Sequence, residues 1–128
     1  MSAASLRARY LGDSIATASP QQLLVMLYDR LALDLERAED ALLAGDREVA
    51  HHELMHGQEI VLELRGSLNV DVWEGGPRLA ALYAWLLGEL IQANLKGDVR
   101  RVRDCRSVVE PLRDAWREAA TSLLASAT

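Results

Sequence analysis

The sequence predicts an all-α protein, an antiparallel up-and-down four-helix bundle with a short N-terminal tail or cap segment. Three observations predict this fold. Four segments of about 20 residues place apolar side chains three and four positions apart, the spacing of one helix face. The pairs Gly45-Asp46 and Gly97-Asp98 interrupt this pattern, and such short connections force neighbouring helices to run antiparallel. No segment shows the alternating pattern of a β-strand.

The first helix is expected to begin at Pro20 and to end near residue 43. Ser19 suits the N-cap, Pro20 suits the first helical position, and Gln22 completes a capping box with Ser19. Gly45 then provides the stop signal. The predicted buried stripe of this helix consists of Leu24, Leu27, Leu31, Leu35, Ala38 and Leu42.

The remaining helices follow from the same signals. Asp46 is placed to cap a second helix at 47–68, and a third helix at 78–96 follows a loop rich in turn-forming residues. Asp98 is placed to cap the fourth helix, at 99–124. These bounds divide the chain into an N-terminal tail or cap at 1–18, the bundle at 19–124 and a C-terminal tail at 125–128.

Composition and charge exclude several classes of partner. The chain has 128 residues, a net charge of −5 and a pI near 5.1, whereas nucleic acids and anionic membranes require a cationic surface. The longest apolar segment, at 79–91, is too short for a bilayer, so stable membrane insertion is not expected. The first ten residues lack the apolar stretch of a secretory signal, which indicates the cytoplasm. The single cysteine, Cys105, is expected to be a core residue.

One motif suggests enzymatic chemistry. His52-Glu53-Leu54-Met55-His56 has the His-Glu-x-x-His form in which two histidines bind zinc and the glutamate acts as a base. A catalytic zinc needs a third protein ligand, and the chain has no histidine beyond His51, His52 and His56, although a distant carboxylate such as Glu74 or Glu89 could serve. The core position of Leu54 places His52 and His56 on the flank or surface. A di-iron site would need a second Glu-x-x-His on another helix, and the sequence has none. We therefore expect no catalytic residues, no bound metal and no cofactor, with a zinc hydrolase as the rival hypothesis.

Four sequence motifs occur together in a recognisable order. They are the run at 17–29 (Thr-Ala-Ser-Pro-Gln-Gln-Leu-Leu-Val-Met-Leu-Tyr-Asp), Gly75-Gly76 ahead of Leu82-Tyr83, Ala93-Asn94-Leu95, and Asp114-Ala115-Trp116. In this order the chain resembles the flagellar secretion chaperones of the FliS type, small bacterial proteins that hold unpolymerised flagellin before export. The resemblance covers residues 10–116, and one departure from the family is a Trp at position 85 where Tyr is common.

The resemblance implies a function and a binding site. A chaperone of this family holds the disordered C-terminal region of flagellin, prevents premature polymerisation and keeps flagellin competent for type III export. The implied partners are flagellin and the flagellar export apparatus. From motif position and apolar excess, the candidate flagellin-binding residues are Tyr10, Ile15, Leu23 and Tyr28 near the start of the first helix, and Tyr83, Trp85, Leu86 and Asn94 on the third.

The third helix supports a binding role without reference to the family. Apolar residues occupy most of its circumference, and Trp85 lies off the stripe formed by Leu82, Leu86 and Leu90. A helix that is apolar nearly all round needs cover on more than one side. The N-terminal tail or a bound partner could supply that cover. A bundle protein with a different client, or a homodimer in the absence of a client, is the remaining alternative.

Overall fold

The computed structural model describes residues 19–69, 71 and 74–127, with side chains up to residue 122. This part of the chain forms four α-helices: α1 (Pro20–Leu43), α2 (Arg47–Ser67), α3 (Gly76–Lys96) and α4 (Val99–Ala127). No strand occurs among the described residues. The all-α prediction is confirmed, while the tail at 1–18 lies outside the described residues.

The start of α1 has the predicted capping box. The Ser19 hydroxyl accepts a hydrogen bond from the Gln22 backbone N–H at 3.1 Å, and the Gln22 side chain accepts one from the Ser19 N–H at 2.8 Å. Pro20 occupies the first turn, where it removes no intrahelical hydrogen bond. Two of the otherwise unpaired amide groups at the helix start are thereby satisfied.

Two glycine turns make the bundle antiparallel. Gly45 has φ of 77° and Gly97 has φ of 63°, a backbone conformation that glycine adopts without a Cβ clash. At Gly97 an added Cβ would also meet the Arg47 guanidinium, but this flexible side chain can move aside, so the positive φ is the main reason for glycine at this position. Asp46 accepts from the Val49 N–H at 3.1 Å, and Asp98 accepts from the Arg100 N–H at 3.0 Å. Each turn therefore ends one helix and caps the next.

The four helices surround one core. α1 and α3 each pack against both α2 and α4, so α1 and α3 occupy opposite corners of the bundle. The predicted stripe of α1 faces inward, with Leu24 and Leu42 partly buried at its ends. Cys105 is fully buried, as expected. The buried core residues are Leu27, Tyr28, Leu31, Ala32, Leu35, Ala38, Leu54, Ile60, Val61, Leu64, Tyr83, Leu86, Leu90, Ala93, Val102, Cys105 and Val109.

The helix bounds differ from the predicted ones by a few residues. α2 ends at Ser67 instead of residue 68, and α3 begins at Gly76, two residues earlier than expected. α4 continues to Ala127, three residues past the predicted end, and remains helical through Pro111. Within the described ranges, no helix is long and apolar enough to span a bilayer.

Candidate binding surface

α3 exposes an apolar face to solvent. Between positions 81 and 95, every exposed residue of this helix is apolar or glycine. These residues recur every three or four positions and so share one side of the helix; we call them the α3 outer face, and they are Ala81, Ala84, Trp85, Gly88, Ile91 and Leu95. Trp85 is 41% exposed, Ile91 38% and Leu95 71%. Adjacent exposed apolar residues of this size are typical of an interaction site.

Neighbouring residues of α2 extend this surface. Asn94 Nδ2 lies 2.8 Å from His51 Nδ1, which fixes the register of the antiparallel helices α2 and α3. Met55 lies one turn beyond His51, and Ile91 lies just under one turn before Asn94, so the two apolar residues occupy the same level. Leu62 follows two turns further along α2. Met55 is 42% exposed and Leu62 is 36% exposed, so a partner covering α3 can also contact α2.

A cavity of about 500 Å³ opens where α1 begins and α2 ends. We call it the end groove. Its wall is mainly leucine, with Glu63, Ser67 and Asn69 as polar members. The full lining consists of Pro20, Leu23, Leu24, Leu27, Glu63, Leu64, Ser67, Leu68, Asn69, Leu79, Tyr83 and Trp116. A concave, apolar opening of this volume can accommodate several apolar side chains of a bound segment.

The eight residues proposed from the sequence fall in different environments. Trp85 lies on the α3 outer face, and Leu23 is a half-buried wall residue of the end groove. Tyr28 and Leu86 are completely buried. Tyr10 and Ile15 lie outside the described residues.

Tyr83 belongs to a buried aromatic cluster and has only 1% of its surface exposed. Its hydroxyl lies 2.8 Å from the hydroxyl of Tyr28, which joins α1 to α3 across the bundle. The Tyr28 ring also packs against Trp116, with ring centroids 6.2 Å apart. Burial raises the pKa of both tyrosines, so their hydroxyls stay protonated. Tyr83 and Trp116 of this cluster also line the end groove.

Asn94 connects the ends of two helices. Besides its contact with His51, its backbone carbonyl accepts a hydrogen bond from Arg47 Nη2 at 3.0 Å. Arg47 in turn lies against Gly97, where the chain turns into α4. Asn94 is half-buried, and these contacts hold the last turn of α3 against the first turn of α2.

The His-Glu-x-x-His residues point to different surroundings. His52 is exposed, and His56 lies on the flank of α2 that faces α1, so both positions agree with the expected flank or surface placement. The His56 side chain is 10% exposed, and its Nδ1 lies 2.5 Å from Asp34 Oδ2. Glu53 is buried, at 8% exposure. Within the described part of the chain, no three His, Cys, Asp or Glu residues are grouped so that they could hold a metal ion.

Sequence reasoning did not select several residues of this surface. Leu95, Gly88, Met55 and Leu62 were not among the candidates, although all four are exposed in the structure. Spacing could have identified Gly88 and Leu95, since both continue the face that contains Trp85. Met55 and Leu62 required the pairing of α2 with α3, which the sequence does not specify.

The described residues thus form a four-helix bundle with an exposed apolar face on α3. A family model described as "Flagellar protein FliS" matches residues 2–123. The chain therefore belongs to the FliS family. Its curated relatives are chaperones, and the family is not one of enzymes.

Two relatives and one solved structure illustrate the similarity. The flagellar secretion chaperone FliS of Bacillus subtilis is 32% identical over 113 residues, which cover 88% of this chain and 84% of the relative. The Escherichia coli protein of the same name is 32% identical over 112 residues, covering 86% and 82% respectively. A crystal structure described as a flagellar chaperone from bacteria has the same fold, with a TM-score of 0.74 and 22% identity; the match covers 93% of this chain and 98% of that one.

Proposed function

We propose that this protein is a cytoplasmic export chaperone that binds the disordered C-terminal region of flagellin. Binding would prevent premature polymerisation and keep flagellin competent for type III secretion. Membership of a family of flagellar chaperones supports a flagellar client. The α3 outer face is the observation that carries the proposal, because it offers a partner a row of apolar side chains with no exposed charge between positions 81 and 95.

The shape of this surface suits an extended client. Fourteen helical steps from residue 81 to residue 95 span about 21 Å, and the end groove lies near the other end of α3 from Leu95. A disordered segment that folds on binding gives up several kcal/mol for its ordering. Many moderate apolar contacts along α3 and in the end groove can offset this cost better than a single deep pocket.

The exposure of the proposed residues supports different roles for them in client binding. Trp85 would contact flagellin directly, together with Ile91 and Leu95. Leu23 would contribute through the end groove.

Other residues of the proposed set would act less directly. Tyr28, Tyr83 and Leu86 have almost no exposed surface, so in this conformation their part is to hold the binding surface in shape. Asn94 would fix the position of Leu95, its neighbour in the chain. Tyr10 and Ile15 remain proposals for contacts made by the segment that precedes α1.

The proposal also has a consequence for assembly. A client-free chaperone exposes the α3 outer face. A second copy of the chain, bound through this face as a homodimer, would therefore compete with the client. Handover of flagellin to the flagellar export apparatus would then free the same surface for the next client.

Calorimetry with flagellin can test the proposal. Full-length monomeric flagellin should bind the chaperone, and flagellin without its C-terminal segment should not. Ile91→Asp places a charge on the α3 outer face and should weaken binding strongly. Leu43→Asp is the matched control because it introduces the same charge at an exposed apolar position at the end of α1, outside the proposed surface. Equal affinity for truncated and full-length flagellin would contradict the proposed client segment.

A further inference from the structure

A group of charged side chains is enclosed between α1 and α2. Asp34 of α1 has no exposed side-chain surface, although a carboxylate is normally hydrated. Its Oδ2 lies 2.5 Å from His56 Nδ1 of α2. Its Oδ1 lies 3.0 Å from Arg30 Nε, one turn earlier on α1. The Asp34–His56 contact therefore joins the two helices through a buried polar pair.

Glu53 adds a second acid to this group. It lies on α2, three residues before His56, and its charge raises the pKa of Asp34. Its Oε2 is buried and has no hydrogen-bond partner among the described residues. Asp34 is thus influenced by the carboxylate of Glu53 and by one permanently charged guanidinium, that of Arg30. One bound proton, shared at the contact of Asp34 and His56, would make the group electrically neutral.

Among the described residues of α3 and α4, no positive side chain is placed to neutralise this group instead of the proton. α4 is the second helix packed on α1, and its arginines there pair with other acids. Arg103 and Arg106 bind Glu39, and Arg117 binds Asp29. α3 lies diagonally across the bundle from α1 and reaches it through uncharged core side chains such as Tyr83. The charges that act on the Asp34 carboxyl come from His56, Arg30 and Glu53.

The titration of Asp34 agrees with this geometry. Burial raises its pKa to about 6, against the opposing effects of the hydrogen bond and charge of His56 and the charge of Arg30. A carboxyl whose pKa is higher in the folded state than in the unfolded state binds a proton more readily when folded. Its contribution to stability is complete below the unfolded value of 3.8 and is lost as the pH rises through about 6.

We infer that Asp34, His56, Glu53 and Arg30 form a buried proton-binding site that fastens α1 to α2 more strongly as the solution becomes mildly acidic. The site is independent of the α3 outer face, so its test does not depend on the client. Proton uptake and release here act on the contact between α1 and α2, whereas the α3 outer face lies on another helix.

Thermal unfolding between about pH 7.5 and about pH 5 tests this inference. Asp34→Asn keeps the size of the side chain and an oxygen that can accept from His56, but it cannot bind the proton. The melting temperature of the wild-type protein should rise relative to that of Asp34→Asn as the pH falls. His52→Gln is the control, because it removes an exposed histidine of the same helix and should follow the wild type. Parallel curves for wild type and Asp34→Asn would overturn the inference.

A second measurement covers the case in which Asp34→Asn does not fold. The carbon NMR signal of the Asp34 carboxyl can be followed during a pH titration of the folded wild-type protein. We expect its midpoint well above the ordinary aspartate value of about 3.9. A midpoint near the ordinary value would overturn the inference.

Discussion

Replacement of Trp85 by alanine should weaken flagellin binding by an amount that the structure allows us to calculate. Trp85 is 41% exposed, and a tryptophan side chain presents on the order of 250 Å². About 100 Å² therefore remains for a partner to cover. At about 25 cal/mol per Å², full coverage contributes about 2.5 kcal/mol, which corresponds to a change of about 60-fold in Kd. Because alanine retains some contact, we expect a loss of about 10-fold to 60-fold.

Isothermal titration calorimetry with a flagellin C-terminal peptide measures this change. The matched control is Leu43→Ala, since Leu43 is 60% exposed but lies at the end of α1, away from the α3 outer face. Its affinity should equal that of the wild type. Circular dichroism must show that both variants remain helical. Wild-type affinity for a folded Trp85→Ala variant would refute the assignment of this surface to the client.

Three further predictions concern stability and reactivity. Gly88→Ala should raise the free energy of unfolding by about 1 kcal/mol, because alanine favours a helix interior and the added Cβ meets no atom within 4 Å. The same methyl group should obstruct a client packed closely on α3 and so lower the affinity for the client. Gly66→Ala is the control, since a Cβ there is equally free of contacts. It should stabilise the protein in urea titrations without changing its affinity for the client. Equal client affinities for the two variants would exclude close packing at Gly88. Tyr28→Phe should lower stability in the same titrations by about 1–3 kcal/mol, since it leaves the buried Tyr83 hydroxyl without this partner, and no loss would show that the pair is dispensable. Burial raises the pKa of Cys105 to about 12, so iodoacetamide should label this thiol only after unfolding, and rapid labelling of the native protein would contradict its burial.

Local sequence signals predicted the helices well. Ser19, Pro20 and Gln22 form a capping box whose geometry depends only on neighbouring residues, and the structure contains it. Gly45 and Gly97 have the positive φ angles that a glycine stop signal implies. The predicted ends were less accurate because nothing in the sequence opposes one further turn, as the extension of α4 to Ala127 shows.

Exposure on α3 could be predicted only in part. Spacing correctly placed Trp85 off the buried stripe, where it is exposed. Tyr83 was proposed for the same surface, but it lies two residues from Trp85 and therefore points to a different side of the helix. Its hydroxyl instead reaches Tyr28, 55 positions earlier in the chain. A contact over that distance depends on the packing of whole helices, which periodicity does not specify.

The buried charge cluster lay beyond sequence reasoning for a similar reason. Asp34 interrupts an apolar stripe between Leu31 and Leu35, and by its position alone it could lie on the flank of α1. His56 drew attention as one of two histidines at zinc-binding spacing. Its partner Asp34 lies on another helix, 22 positions away. This contact depends on how α1 packs against α2, which the sequence alone does not specify.

Hydrogen exchange of the chaperone with and without a flagellin C-terminal peptide tests most directly whether α3 binds the client. Backbone amides of an exposed helix become protected when a partner covers the helix. We predict that the peptide slows exchange most strongly in α3 between residues 81 and 95, with a smaller effect around the end groove. Binding that slows exchange in α4 alone and leaves α3 unchanged would contradict the proposed surface.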